Sequence, residues 1–539
     1  MAVHNQKAKP GAPKLPAEHT EAVARIGARY DALPYVSHAY PQSHPARIGA
    51  VAHLMGLETV PLARARVLEI GCASGGNLIP IAAMHPDAAF TGIDLSAAQV
   101  ESAEVRIKRL GLTNVTFLNR DIAECALEPA SFDYVICHGV YSWAPPRVRK
   151  AILATIERVL SPLGVGHVSY NVLPGWRQKQ VLRDALMWRL KGVADPKMQV
   201  GYTRAFVRAI NEWKGPDSAY HRALRELAAH VEGIRDDYLA HEFLEIDNSP
   251  QTFVEFAEEI GAAGLTFVGE CETWMQIADN FDAPTRDLLR NLSGGDVIAM
   301  EQAVDVLTGR TFRQTIVARA ERGASIVRMI PAERLLALHL IGPLVEKPER
   351  PEPFRWEFSG PTGKSIMTNS LPALRALRAF AAKGPASASV RELLLAAAQD
   401  GGEPGETERA SALDALQKAV LVGVADARME PVIAAAAVSE HPMVPAIMRS
   451  DAEAGADLTT LRHDNAPLDI VARLLVPKLD GAHDRAMLYA HLVKCAREGQ
   501  LTFSRGDVAV TDDEGLAACA AEHVGRTLAQ LRDRACLAG

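Results

Sequence analysis

Beyond Pro61 the chain alternates short β-branched apolar runs with stretches whose apolar positions recur at helical spacing. That alternation predicts βαβ units and a mostly parallel sheet covered on both faces. Strands are expected over Arg66–Ile70, Ala89–Ile93, Val115–Leu118, Tyr134–Cys137 and Gly166–Tyr170, with helices over Gly76–Met84, Ala97–Leu110 and Arg147–Leu160 between them. Ahead of this unit a helical pattern covers Glu18–Tyr30. An aromatic, proline-broken stretch from Tyr30 to Pro45 leads from it into a second helix over Ala46–Met55. Residues 1–17 are polar, carry prolines and have no period, which predicts a loose arm. From Arg177 to Ala320 the pattern is mainly helical, broken at Pro196, Pro216 and Pro250. Three prolines among charges over Glu346–Pro353 predict a linker, and two smaller helix-rich regions follow, divided by a loop around Ala427–Pro431. The expected division is an N-terminal arm and helical cap over 1–60, a sheet domain over 61–200, a helical domain over 201–325, a linker with a first C-terminal domain over 326–430, and a second C-terminal domain over 431–539.

Composition narrows the class. At 48 % hydrophobic and 23 % charged residues the chain has enough apolar surface to fold, so disorder is excluded as its main state. Lys+Arg 58 against Asp+Glu 65 gives a formal charge of −7, which argues against a nucleic-acid partner. No apolar run approaches the ~18 residues that span a bilayer. None follows Lys7, Lys9 and Lys14 either, so neither membrane insertion nor secretion is expected. The seven cysteines are scattered without a C-x-x-C pair, which argues for the cytoplasm and against a disulfide framework or a metal centre.

The chemistry concentrates in Val67-Leu-Glu-Ile-Gly-Cys-Ala-Ser-Gly-Gly-Asn77. A buried strand running into glycines and then a helix presents backbone N–H groups to an open space at the sheet's carboxyl edge. The spacing is G-x-x-x-G-G, and a dinucleotide fingerprint would need glycine where Ala73 stands. Glu69, two residues before the turn, disfavours a pyrophosphate and suits an ammonium-bearing ligand. Asp94 ends the second strand 23 residues after Gly71, where a carboxylate accepts hydrogen bonds from both ribose hydroxyls. Asp121 follows the third strand, near the place of an adenine amino group, and Ile122 would lie against the adenine ring. Ribose, adenine and an amino-acid tail together describe S-adenosylmethionine better than NAD. Gly71, Cys72, Ala73, Gly75, Asn77 and Leu95 complete the candidate contacts, Cys72 for its small size and backbone N–H.

The run from Glu69 to Asn77 with Gly92-Ile-Asp-Leu-Ser96 resembles class I S-adenosylmethionine-dependent methyltransferases. Pro34–Ser37, Gln42–Pro45, His138–Trp143, Ser169–Trp176, His241–Glu245 and Arg310–Gln314 are similar to the subset that carries a methyltransferase regulatory domain. Leu479–Arg485 resembles its winged-helix-like C-terminal part. Rickettsial lysine methyltransferases acting on outer-membrane proteins are similar to this group. The resemblance implies an α/β fold: a Rossmann-like seven-stranded methyltransferase sheet, then a helical regulatory domain and a winged-helix-like C-terminal region. It implies S-adenosyl-L-methionine as cofactor, no metal, and methyl transfer to lysine side chains of a protein. A small-molecule N- or O-methyltransferase is the alternative, and a non-catalytic S-adenosylmethionine-sensing protein the alternative of another class. Homodimerisation through the helical domain is a further expectation.

Such a transfer requires orientation more than acid–base chemistry. His138, Tyr141 and Trp143, just past the fourth strand, are the candidate catalytic residues. The two aromatic rings would wall an acceptor channel, and His138 would accept a proton or touch the cofactor. Tyr35, Ser37 and His44 are candidates for a lid over the cofactor or, equally, for a proline-rich strap that packs aromatics onto the domain.

Overall fold

The computed structural model describes residues 17–349, 352–399, 401–506 and 508–539. The arm expected over 1–17 lies, but for Ala17, outside the described residues. Five parallel strands, β1 (Arg66–Ile70), β2 (Ala89–Asp94), β3 (Val115–Asn119), β4 (Phe132–Cys137) and β5 (Leu160–Asn171), occur where the β-branched runs place them. The sheet has seven strands in the order β3-β2-β1-β4-β5-β7-β6. β6 (Leu265–Glu270) and β7 (Phe312–Arg319) come from the segment expected to be helical, and β7 lies antiparallel to both its neighbours. The sheet unit therefore extends beyond 61–200, because β5 is buried and needs β7 to satisfy its outer backbone edge. Arg313 disguises β7 in the sequence: a charge in mid-strand reads as surface, yet its side chain is buried among carboxylates.

Alternate residues of β1 feed two cores, as a doubly covered sheet demands. Val67 packs with α2 (Pro45–Leu54), α3 (Leu78–Met84) and α4 (Ala97–Leu110), whereas Leu68 packs with α5 (Pro146–Val159) and with Phe253, Phe256 and Ile260 of α10 (Phe253–Ala262). Ser96 caps α4 by accepting the Gln99 N–H, and Thr252 with Glu255 forms a reciprocal capping box at the start of α10. The helices α6 (Arg177–Arg189), α7 (Pro196–Glu212), α8 (Ala219–Glu232) and α9 (Asp236–Phe243) share a smaller core of their own. They hold the N-terminal helix α1 (Ala17–Ala32) through Arg29, which binds Glu245 at 3.1 Å, Gln199 at 3.0 Å and the Leu244 carbonyl at 2.9 Å.

The expected linker is instead a hairpin connection. Glu346 pairs with Phe358 and Val345 with Ser359, so the described part of 346–353 joins two strands of a small antiparallel sheet. The expected loop around Ala427–Pro431 begins as a strand, Asp426–Arg428, that pairs with His339–Ile341. One buried cluster runs from Ala46 to Leu537, so the C-terminal region shares a core with the sheet domain. Its Asp451 accepts from Arg106 and Arg109 of α4. Among the described residues no helix is long and apolar enough to cross a membrane.

Candidate functional site

The carboxyl ends of the parallel strands open on a cavity of about 470 Å3. Strand order sets its layout, with the switch in winding direction between β1 and β4 at its middle. Asp121 and Ile122 after β3 line one end, followed by Asp94 and Leu95 at β2, and by Glu69, Gly71, Cys72, Ala73 and Asn77 at β1. His138 and Trp143 after β4 come next, and Asn171, Trp176 and Lys179 after β5 line the other end.

The turn after β1 is built for close approach. Gly71 has φ +73°, and a Cβ there would stand 2.2 Å from Val140 Cγ2. Ala73 also takes a positive φ of 45°, a conformation in which glycine is the usual occupant. Asp94 holds the turn: Oδ2 accepts the Ala73 N–H at 2.8 Å and Oδ1 accepts that of Ser96 at 2.9 Å. Burial raises the Asp94 carboxyl above its ordinary range, against the hydrogen bonds that it accepts. Glu69 is more strongly affected, pushed up to about 8 by burial, with its Asn77 bond opposing and the Asp94 charge adding. Its Oε1 accepts from Asn77 Nδ2 at 2.8 Å, and its buried Oε2 has no hydrogen-bond partner among the described residues. A buried carboxylate oxygen without a donor, beside a glycine turn, fits a ligand that brings a cation. Burial also raises the Cys72 thiol well above its usual value, which leaves it no nucleophile.

The aromatic stretch before α2 covers this turn. Ser37 Oγ accepts the Gly76 N–H at 2.8 Å, and a Cβ on Gly76 would meet the Ser37 carbonyl at 2.3 Å, so glycine is needed for the contact. The Tyr35 and Tyr40 hydroxyls lie 3.0 Å apart, and the Tyr40 ring sits 4.0 Å from that of His138. Tyr30, Tyr35, Ser37 and Tyr40 line the cavity with Val23 and Ile26 of α1. His44 does not: it caps α2 and contacts Arg428 at 2.9 Å. His241 fastens the cover by stacking on Tyr30 at 4.7 Å and bonding the Leu33 carbonyl at 2.9 Å.

Of the expected acceptor residues, His138 and Trp143 line the cavity and Tyr141 does not. Tyr141 is 1 % exposed, packs edge-on to Phe256 and donates to Glu259 Oε2 at 2.5 Å, so its ring is part of the core behind the wall. The helical turn Tyr141–Trp143 sends neighbouring side chains in different directions, and Trp143 is the one that faces inward. Gly75 is likewise a turn residue and not a lining one: φ is +74°, and a Cβ would lie 2.6 Å from Phe117 Cζ. Burial holds His138 down to about 3, so its imidazole is neutral. Several wall residues escaped the sequence reading, chiefly Tyr40, Trp176, Lys179, Tyr238, Glu242 and Phe312. Lys179 Nζ lies 4.4 Å from the centre of the Trp176 ring and 2.6 Å from Glu242 Oε1. Only the repeated tyrosines ahead of α2 and the paired tryptophans 143 and 176 were visible signals.

Three family models match the chain. Residues 67–164 match a methyltransferase domain, 235–319 a predicted methyltransferase regulatory domain, and 440–536 the PKMT C-terminal winged helix domain. The uncharacterized protein RP789 of Rickettsia prowazekii is 32 % identical over 288 residues, or 53 % of this chain; the match spans about half (52 %) of that relative's length. The uncharacterized protein RP028 of the same organism is 31 % identical over 231 residues, covering 43 % of this chain and 92 % of the relative. PKMT2 from Rickettsia typhi, solved alone and with AdoHcy, superposes with a TM-score of 0.81 at 24 % identity over 94 % of this chain and 100 % of that one. That likeness shows the same fold over 94 % of this chain.

Proposed function

We propose, for a chain that belongs to the family of class I methyltransferases with a methyltransferase regulatory domain, that it transfers methyl groups from S-adenosylmethionine to lysine side chains of a protein. The observation that carries the acceptor is Lys179. The wall made by Trp176 and Glu242 already holds a lysine ammonium of the chain itself, by a ring face and a carboxylate. At the opposite end Asp94, Asp121, Ile122 and Glu69 all line the cavity, which supports ribose and adenine against the first three and the amino-acid tail against Glu69. The relative PKMT2 was solved with AdoHcy, which supports the cofactor reading.

When bound, S-adenosylmethionine supplies a sulfonium-borne methyl group to an in-line nucleophile. The chain orients that nucleophile and dries it. A free lysine has a pKa of about 10.4 and must lose its proton before its lone pair is available. Glu242, at the partly exposed end of the cavity, gathers the cation. Deeper in, Trp143, Tyr40 and His138 offer ring faces, and removal from water there disfavours the ammonium form. His138, held near 3, is too weak a base at pH 7 to take the proton and serves as a neutral wall, so the ammonium gives its proton to solvent water before the amine is enclosed.

The reading is tested by incubating the full chain with methyl-labelled S-adenosylmethionine and an array of lysine peptides beside the same peptides with arginine. Label is expected on the lysine set. Incorporation only into small-molecule hydroxyls would overturn it. Glu242→Gln is expected to raise the KM for the best peptide about tenfold, the worth of one charge-assisted contact, while AdoHcy affinity stays unchanged.

Glu69 gives a prediction about protons. With a carboxyl at about 8, the free protein carries Glu69 largely protonated at pH 7. A ligand ammonium favours the charged form, so binding lowers that pKa and releases a proton. Calorimetric titration with AdoHcy at pH 7 in phosphate and in Tris is expected to give enthalpies that differ by nearly one proton's buffer ionisation. The difference is expected to shrink as pH rises from 7 to 8, where about half of Glu69 is already ionised while the ligand keeps its ammonium. Glu69→Gln is expected to abolish it at pH 7.

A further inference from the structure

The cofactor turn is also held from the far end of the chain. Asn77 closes the turn, and its amide is gripped on both sides. The Tyr40 N–H donates to Oδ1 at 3.0 Å. A backbone N–H only donates, so the oxygen faces it and the amide nitrogen faces Glu69 Oε1 at 2.8 Å. Oδ1 has a second close neighbour, His463 Nε2 at 2.8 Å, 386 residues away in sequence. Because Oδ1 can only accept, Nε2 carries the hydrogen. Burial and the nearby Arg428 charge hold His463 down to about 3, so the ring is a neutral donor at any working pH.

His463 sits at φ +71° in the turn between two short strands of the C-terminal region, Leu458–Thr459 and Asn465–Ala466. The same turn grips the cover. Asn465 Oδ1 accepts the Ala39 N–H at 3.1 Å, and its Nδ2 donates to the Ala39 carbonyl at 2.8 Å. Glu69, Asn77 and His463 are all buried, at 4, 2 and 3 % exposure, so each polar atom among them needs its partner. The free end of this chain of bonds is Glu69 Oε2, which has no donor among the described residues.

We infer that His463 is a positioning residue for the amino-acid end of S-adenosylmethionine, acting through Asn77 to fix one oxygen of Glu69 and leave the other to the ligand's ammonium. The inference rests on the cofactor reading above. It makes the C-terminal region a component of the cofactor site. A packing histidine would matter equally for any ligand of the cavity. A positioning one matters only for a ligand that brings the ammonium, and this difference is measurable.

The test compares two ligands on the full chain: AdoHcy, which has the amino-acid tail, and methylthioadenosine, which keeps adenine and ribose but lacks it. His463→Phe keeps the ring volume and removes the donor. It is expected to bind AdoHcy about tenfold more weakly, and methylthioadenosine within twofold of wild type. His463→Gln, which restores an N–H at similar reach, is expected to recover most of the AdoHcy affinity. Should His463→Phe melt markedly below wild type, His463→Ala reads the same ratio without the ring. Equal losses for the two ligands, or no loss for either, would overturn the inference while leaving the cofactor reading intact. A wild type that binds neither ligand would overturn the cofactor reading, and the inference with it.

Discussion

Asp94→Ala is expected to weaken AdoHcy binding at least a hundredfold while leaving the fold in place. Two losses combine. In the free protein the carboxylate accepts the Ala73 and Ser96 N–H groups, and so pins the turn after β1 against the start of α4. In the proposed complex the same carboxylate accepts from the ribose hydroxyls. Hydrogen bonds to a charged acceptor contribute about 1.5–3 kcal/mol each, so losing even two exceeds a factor of a hundred. Asp94→Asn keeps one accepting oxygen and loses the charge, and should fall between alanine and wild type. Both variants should stay folded, with Asp94→Ala melting a few degrees below wild type because the Ala73 and Ser96 N–H groups lose their acceptor, while the core below the cavity is untouched. Calorimetric titration of the three proteins with AdoHcy decides the matter. Wild-type affinity in Asp94→Ala would remove the ribose from this position and with it the whole left-to-right placement of the ligand along the strand ends.

That these residues line one cavity was legible in the sequence because their arrangement is local. Glu69, the glycine turn and Asp94 fall within 26 residues, and strand–turn–helix alternation fixes their mutual geometry before any long-range contact is considered. The five parallel strands were legible for the same reason. What the sequence hid depends on pairs far apart. β6 and β7 are short strands inside helical surroundings, and neither the pairing of β5 with β7 nor the burial of Arg313 has a local signature. Tyr141 and Trp143 are two residues apart, and no periodicity says which of them faces a cavity when the connecting piece is a single turn of 3-10 helix. Trp176, Lys179 and Glu242 meet only because α9 is folded back over the end of β5, and His463 reaches Asn77 through a contact that only tertiary structure creates. Local chemistry marks the proposed cofactor half of the cavity; the proposed acceptor half and its supports are products of assembly.

The assembly itself has a removable fastener. Arg313 of β7 has no exposed side-chain surface, and its guanidinium meets Glu270 of β6 at 2.8 Å, with Asp305 at 2.8 Å and Glu301 at 3.0 Å on α12 (Val297–Thr308). It also lies 4.0 Å from the centre of the Phe253 ring on α10. Arg313→Met keeps much of the apolar stem but leaves three buried carboxylates facing one remaining cation, Arg310, whose Nε is 3.3 Å from Asp305. Breaking a buried ion network from one side costs about 3–5 kcal/mol, since the orphaned charges cannot regain water. The expected reading is a melting temperature lower by on the order of 10 °C at pH 8. The sign of its pH dependence follows from the carboxylates. Burial already raises Glu301 and Asp305 above their ordinary values, and losing the cation raises them further. A carboxyl whose folded-state pKa is raised gives its full contribution below its unfolded pKa and loses it as pH rises through the folded value. The deficit of Arg313→Met should therefore shrink as pH falls from 8 toward 5. Phe312, the residue before it, lines the cavity, so the proposed methyl transfer should fall with the melting temperature and recover in the same direction. A variant that melts within a degree or two of wild type at pH 8 would show that α12 and β6 are held to β7 by apolar packing alone.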